Sequence, residues 1–120
     1  MRRYSYKRPS AKYGNKKIVT PEGAFDSQKE FERYCELHIL LRVGEIRNLE
    51  RQVRFPLIPA QKGENRAERA ADYIADFVYE EKRGEDWRTV VEDTKGVRTD
   101  TYVLKRKLML FIHGISIKEV

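Results

Sequence analysis

Two β-rich segments, Tyr73–Tyr79 and Thr89–Lys95, limit what this chain can fold into more than any other part of it. Both are dense in β-branched and aromatic residues, as pleated strands are. Each also carries an acid where alternation calls for an apolar side chain, Asp76 in the first and Asp93 in the second. The stretch between them, Glu80–Arg88, is almost wholly charged, contains Gly84, and reads as a hairpin loop of the longer kind. A ladder symmetric about Gly84–Glu85 sets Asp76 directly opposite Asp93, and like charges so placed are destabilising. At an effective dielectric near 20 and a separation of about 4 Å, the repulsion is roughly 4 kcal/mol. A cation between the two acids would remove it.

Period-two alternation puts Asp72, Ile74, Asp76, Val78 and Glu80 on one face of the first strand. Val91, Asp93 and Lys95 share a face of the second. The apolar company of Ile74, Val78 and Val91 predicts that these faces are buried, and that Asp76, Asp93 and Lys95 are at least partly buried with them. Charged groups in such places need each other or a metal. The plainer alternative is a surface ion pair between Asp93 and Lys95, contributing about 0–1 kcal/mol.

A chain of 120 residues supports one domain with a modest core. No apolar run approaches the roughly 18 residues that span a bilayer, so no membrane partner is expected. The N-terminus is charged but lacks the apolar region of a secretory signal. One cysteine, Cys35, excludes an internal disulfide, and with only His38 and His113 beside it a Cys/His zinc site is not expected. A cytoplasmic protein follows. Net charge is +6, which favours an acidic partner such as nucleic acid. That charge is concentrated in residues 1–17, where Arg2, Arg3, Lys7, Arg8, Lys12, Lys16 and Lys17 stand without an acid and with Tyr4, Tyr6 and Tyr13 among them. The remainder holds 18 basic and 19 acidic residues and is nearly neutral. The chain therefore divides into a flexible basic arm, 1–17, and a single domain, 18–120. The arm is expected to contact phosphates and stack bases; a solvated tail without a role is the other reading.

Within the domain, Lys17–Thr20 reads as a short extended segment closed by the turn Pro21-Glu22-Gly23. Ser27-x-x-Glu30 fits a capping box that opens a helix ending near Val43 and Gly44, with Phe31, Tyr34, Leu37 and Leu41 on its buried stripe and Ile39 and Leu40 widening it. Such a helix is expected to pack on more than one side. Glu30 is either the second half of that cap or an acid delivered to a site at the sheet edge. Glu45–Glu50 reads as a connector, and Arg51–Ile58 as a strand that Pro56 confines to an edge or a bulge. Gln52 on that strand is a candidate site residue, with a plain surface role as the commoner outcome. Pro59–Ala70 is polar, without apolar rhythm, and reads as a mobile loop. Thr99 or Asp100 caps a second helix, Thr101–Ile112, with Leu104, Leu108, Phe111 and Ile112 on its apolar side and Gly114 past its end. Lys105, Arg106 and Lys107 cross its polar side, as a solvated face or as phosphate contacts. Ile115–Val120 alternates as a last strand.

The order helix, three strands, helix, strand, with Glu30 on the first helix, Asp76 on a strand and Asp93-Thr94-Lys95 on its pair, resembles the PD-(D/E)XK nuclease superfamily. The runs Lys12-Tyr13-Gly14-Asn15-Lys16-Lys17, Phe25-Asp26-Ser27-x-x-Glu30, Tyr73-Ile74-Ala75-Asp76-Phe77 and Val91-Glu92-Asp93-Thr94-Lys95-Gly96 are similar to a small uncharacterised family of phage and prophage proteins assigned to that superfamily. Ala75 stands where the superfamily's name places proline. The resemblance implies a mixed α/β (α+β) fold of the restriction-endonuclease-like α-β-β-β-α-β type, with a central mixed sheet flanked by helices. It implies a Mg²⁺-dependent endonuclease, with Mn²⁺ as a substitute, acting on DNA and selective for branched structures such as Holliday junctions. Asp76, Asp93, Glu30 and the Thr94 carbonyl would be metal ligands, and Lys95 would activate the attacking water. Arg2, Arg3, Lys7, Arg8, Lys12, Lys16, Lys17, Gln52, Lys105 and Arg106 are the candidate DNA contacts. Paired cuts would require a homodimer, and a phage-encoded protein would work in the host cytoplasm. The competing reading is a nuclease-fold DNA-binding module without activity.

Overall fold

The computed structural model describes residues 17–94 and 97–120. It is a mixed α+β fold, as the element order predicts: a four-stranded mixed sheet carries two helices. The chain enters through a small antiparallel hairpin, β1 (Ile18–Thr20) and β2 (Gly23–Phe25), whose second strand the sequence did not reveal. Helix α1 (Gln28–Arg42) follows, then β3 (Ile46–Ile58), a two-residue pair β4 (Gln61–Lys62) and β5 (Ala67–Glu68), and the long hairpin β6 (Ala71–Arg83) and β7 (Asp86–Asp93). Helix α2 (Asp100–His113) returns the chain to β8 (Lys118–Glu119). The sheet order is β3-β6-β7-β8, antiparallel except for β8, which runs parallel to β7. A parallel neighbour needs a crossover, and α2 is that crossover.

The hairpin keeps the predicted register. Phe77 pairs with Glu92, Val78 with Val91 and Arg83 with Asp86, so Gly84 and Glu85 alone form the turn, with Gly84 at φ 62°. The expected long loop over Glu80–Arg88 is therefore strand almost throughout. Its charges hid this. Glu81 faces Arg88, and Lys82 faces Trp87, with the Arg47 guanidinium 4.2 Å above the Trp87 ring. A ribbon held by such cross-strand pairs has no apolar alternation to read.

Three other expectations shift. Glu45–Glu50 is no connector, because β3 begins at Ile46 and pairs with β6 beyond Glu80. The 59–70 segment is not simply a loop, since Gly63 donates to the Arg66 carbonyl at 2.8 Å and closes the β4–β5 pair. The final strand is reduced to Lys118–Glu119. Pro56 behaves as expected. β3 is the sheet's edge, and its register slips between Pro56 and Ile58.

The buried faces also differ from the sequence reading. On β6 the core side is Tyr73, Ala75, Phe77 and Tyr79, whereas Ile74 is 44% exposed. Asp76 is still half-buried and Asp93 buried, but not because Ile74 marks their face as interior. On α1 only Glu30 and Leu37 are buried, and Ile39 points outward, so this helix packs on one side. Leu37 joins Ile46, Phe77 and Tyr79 in one cluster. On α2 the buried residues are Tyr102 and Met109, packed with Leu57, Tyr73, Ala75 and Val91. Leu104, Phe111 and Ile112, expected inward, are exposed. With apolar residues nearly all round α2, periodicity alone could not choose its inner face.

Two polar contacts fasten the helices. Arg33 of α1 donates Nε (2.9 Å) and Nη2 (2.6 Å) to the fully buried Glu92 of β7, which also accepts from the Tyr79 hydroxyl. Glu119 of β8 accepts from Arg98 (2.8 Å), Tyr102 (2.7 Å) and Arg106 (3.0 Å), tying α2 and its entry to the last strand. These donors, Arg98 first, hold the Glu119 carboxyl down at about 2. A carboxyl depressed on folding stabilises the fold above its unfolded value and loses that contribution as pH falls through the folded one. Wild type should therefore lose stability between about pH 5 and 2 relative to Glu119→Gln, a difference readable from urea unfolding across that range. Arg33→Ala leaves Glu92 buried and uncompensated, and is expected to remove roughly 3–5 kcal/mol in the same measurement. A loss below about 1 kcal/mol would mean that the pair does not anchor α1.

Candidate functional site

The site starts from the first turn of α1. The Ser27 hydroxyl accepts from the Glu30 N–H at 3.1 Å, the ordinary N-cap bond. Glu30 reaches back in turn, but its Oε1 accepts from the Asp26 N–H at 2.8 Å, one residue outside the reciprocal position of a capping box. That geometry leaves the other oxygen facing the sheet. Oε2 accepts from Gln52 Nε2 at 2.9 Å, with Arg51 Nη2 at 3.9 Å. Glu30 thus bonds both to the backbone that leads into the helix and to a side chain of the sheet. It is 1% exposed, and burial raises its pKa, helped by Asp76 and Asp26 and opposed by the Asp26 N–H and Arg51.

Gln52 is the link between helix and sheet. The pairs on either side of it, Arg51 with Phe77 and Val53 with Ala75, keep one register, so Gln52 stands across from Asp76. Yet its φ is 53°, in the left-handed region, without glycine's lack of a Cβ or asparagine's short amide to ease it. Such a conformation costs about 1–2 kcal/mol in an L-residue. It aims the side chain so that Nε2 lies 2.9 Å from Glu30 Oε2 and 3.4 Å from Asp76 Oδ1. Gln52 is exposed, so solvent reaches this side of the cluster.

Asp76 is held from the far side by Thr94, whose N–H and hydroxyl both donate to Oδ2 at 2.8 Å. Thr94 serves Asp76 through its amide and hydroxyl; its carbonyl, which the resemblance implies as a metal ligand, takes no part in these bonds. Asp93 follows Glu92 in the β7 register, at the position opposing Asp76. It is 1% exposed, and its Oδ2 accepts from the Tyr73 hydroxyl at 2.5 Å. Burial, and then the bond to Asp93, raise the Tyr73 pKa and keep it a donor. The two acids take their hydrogen bonds from different partners, Asp76 from Thr94 and Gln52, and Asp93 from Tyr73. Tyr73 was missed in the sequence, and Arg51 with it. Tyr73 reads as an ordinary core aromatic, and Arg51 as one of many strand cations until its guanidinium is seen 3.7 Å above the Phe25 ring.

Of the remaining candidates, Lys95 and the arm residues Arg2, Arg3, Lys7, Arg8, Lys12 and Lys16 lie outside the described residues. Lys17 is exposed, 3.8 Å from Asp26. Lys105 and Arg106 belong to the flank of α2, and Arg106 is committed to Glu119. Glu92, set aside as structural, is bound by Arg33 as described. Among the described residues no three His, Cys, Asp or Glu side chains converge closely enough to hold a metal ion.

The fold and this cluster define an α+β domain in which a helix-borne acid and a strand-borne acid meet at one amide. The chain belongs to the family described as "Protein of unknown function (DUF1064)", whose model matches residues 10–114. Neither curated proteins nor solved structures gave a match.

A desolvated carboxylate near like charges is tolerated at the expense of stability. Glu30→Gln keeps an oxygen for the Asp26 N–H and removes the charge but turns an N–H₂ toward the Gln52 N–H₂, so its melting temperature is expected to stay within a few degrees of the wild type. A fall of more than about 1 kcal/mol in urea unfolding would show that the charge itself holds α1 in place.

Proposed function

We propose that the chain is a Mg²⁺-dependent endodeoxyribonuclease, with Mn²⁺ as a substitute, selective for branched DNA. The observation that carries this reading is the meeting of Glu30 and Asp76 on the Gln52 amide, with Asp93 buried on the strand paired to that of Asp76. Carboxylate oxygens are hard donors of the kind Mg²⁺ takes, and here the Gln52 N–H₂ group stands where a cation between them would. The Gln52 amide lies between one oxygen of each acid, and a strained backbone keeps it there. The open side of the cluster suits a polymeric substrate. Glu30, Asp76 and Asp93 would hold the ion, which when bound supplies neutralisation of phosphate charge and a water of lowered pKa.

The chain's own groups do the rest. Thr94 fixes one Asp76 oxygen and leaves the other toward the cluster. Tyr73 orients Asp93 and excludes water from its buried side. Lys95, next after Thr94 in sequence, orients the attacking water and balances developing charge. Gln52, the basic residues of 1–17 and Lys105 contact phosphates; Arg106 joins them only by leaving Glu119. The setting is the cytoplasm, that of the host for a phage-encoded protein.

The second reading is a DNA-binding module of the same fold without activity, favoured by the lack of a preformed three-acid cluster among the described residues. One experiment separates the two. Linear duplex, flap and four-way junction DNA are incubated with Mg²⁺ or EDTA and with wild type, Asp76→Ala, Asp93→Ala and Lys95→Ala. The expected outcome is nicking that needs Mg²⁺, is strongest on the junction, and falls at least about 100-fold in each variant while binding persists. Undiminished cleavage by Asp76→Ala would remove the metal assignment. Binding without cleavage on every substrate would establish the inactive module.

A further inference from the structure

Helix α2 has a second apolar face that the fold does not use. At about 100° per residue, Leu104 and Phe111 fall in a sector of roughly 60° together with Asp100 and Lys107, on the side away from the buried Tyr102 and Met109. Phe111 is 86% exposed, Leu104 58%, and Val97, which precedes the helix, 48%. Leu104 and Phe111 are seven apart on the helix, the spacing of a helix-pairing seam, and Val97 lies in the segment that leads into it. Contiguous exposed apolar groups on one side of a helix are the kind of patch that marks an interaction surface.

We infer that this stripe is a homodimer interface in which two copies of α2 pair antiparallel about a two-fold axis at Leu104. The charges identify the occupant. Along the stripe the order is acidic Asp100, apolar Leu104, basic Lys107, apolar Phe111. A parallel pair would set Asp100 beside its own copy and Lys107 likewise, which is repulsive. Antiparallel pairing about Leu104 sets that residue against its mate, Lys107 beside the partner's Asp100, and Phe111 over the segment that leads into the partner's helix, where Val97 is exposed. Each apolar group then meets an apolar group and each charge its opposite, twice over, as an isologous contact requires. The seam is short, so the association belongs to the weak class of interface. It stands independently of the nuclease reading.

The test is a charge-swap mixing experiment read by sedimentation equilibrium over a wide range of loading concentrations. Wild type is expected to form dimers reversibly. Phe111→Ser should weaken association at least about tenfold. Asp100→Lys and Lys107→Asp should each weaken self-association by a similar factor, since each places like charges across the axis. An equimolar mixture of the two should recover dimers, because both cross-axis pairs are then opposite in sign. All the substitutions are at exposed positions, so thermal melts should stay close to wild type. A wild type that is monomeric throughout overturns the inference. So does a dimer indifferent to Phe111→Ser, or a mixture that fails to recover, since either places the contact on another surface.

Discussion

Arg33 and Glu92 meet inside the protein, and most of the remaining geometry depends on that meeting. Taking two charges out of water is expensive, and an ion pair repays it only when its geometry is good and its remaining lone pairs are used. Here the guanidinium binds both carboxylate oxygens, the Tyr79 hydroxyl takes a further lone pair, and Lys118 Nζ stands 3.9 Å away. The pair fastens α1 to the middle of the sheet at one point along its length. Glu30 lies three residues earlier on the same side of that helix, so anchoring Arg33 on β7 also fixes where Glu30 meets β3 and β6. A helix held only by Leu37 and its neighbours could slide or rotate; one held by a bidentate pair has a set register.

Around that anchor, the places where local rules fail gather in one region. Gln52 has a left-handed backbone within a strand, Glu30 is a buried acid near two others, and Asp93 is a carboxylate packed against a core tyrosine. Each is unfavourable alone, and each is held by a neighbour. Strained or desolvated groups of this kind persist only where the surrounding structure over-determines them. The cluster joins elements far apart in sequence, so its precision depends on the sheet and on the Arg33 anchor, not on any one loop.

Much of this was legible in the chain itself. The register of the β6–β7 hairpin followed from Gly84 and the matched acids. The extent of α1 followed from Ser27, Glu30 and Gly44, and the edge position of β3 followed from Pro56. Those signals are local: turn chemistry, caps and missing donors act within a few residues. Charged strand positions were not legible. Glu45–Glu50 and Glu80–Arg88 have no apolar alternation, and their pairing is supplied by the strand alongside.

By itself, then, the sequence determined the order of elements, the pairing of the central hairpin, and the acids worth watching, Glu30, Asp76 and Asp93. Only the tertiary structure decided which faces are interior, because burial depends on what packs against a strand or helix and not on its own periodicity. It turned Ile74 and Phe111 outward and Tyr73 inward. It also decided who meets whom: that Glu30 divides its two oxygens between a helix cap and Gln52, that Thr94 serves Asp76 through its amide and hydroxyl, and that Tyr73 serves Asp93. Hydrogen bonds of this kind require groups brought to within about 3 Å of one another, and Thr94 and Asp76, Tyr73 and Asp93, and Glu30 and Gln52, each 18 or more apart in sequence, reach that distance only once the sheet has formed.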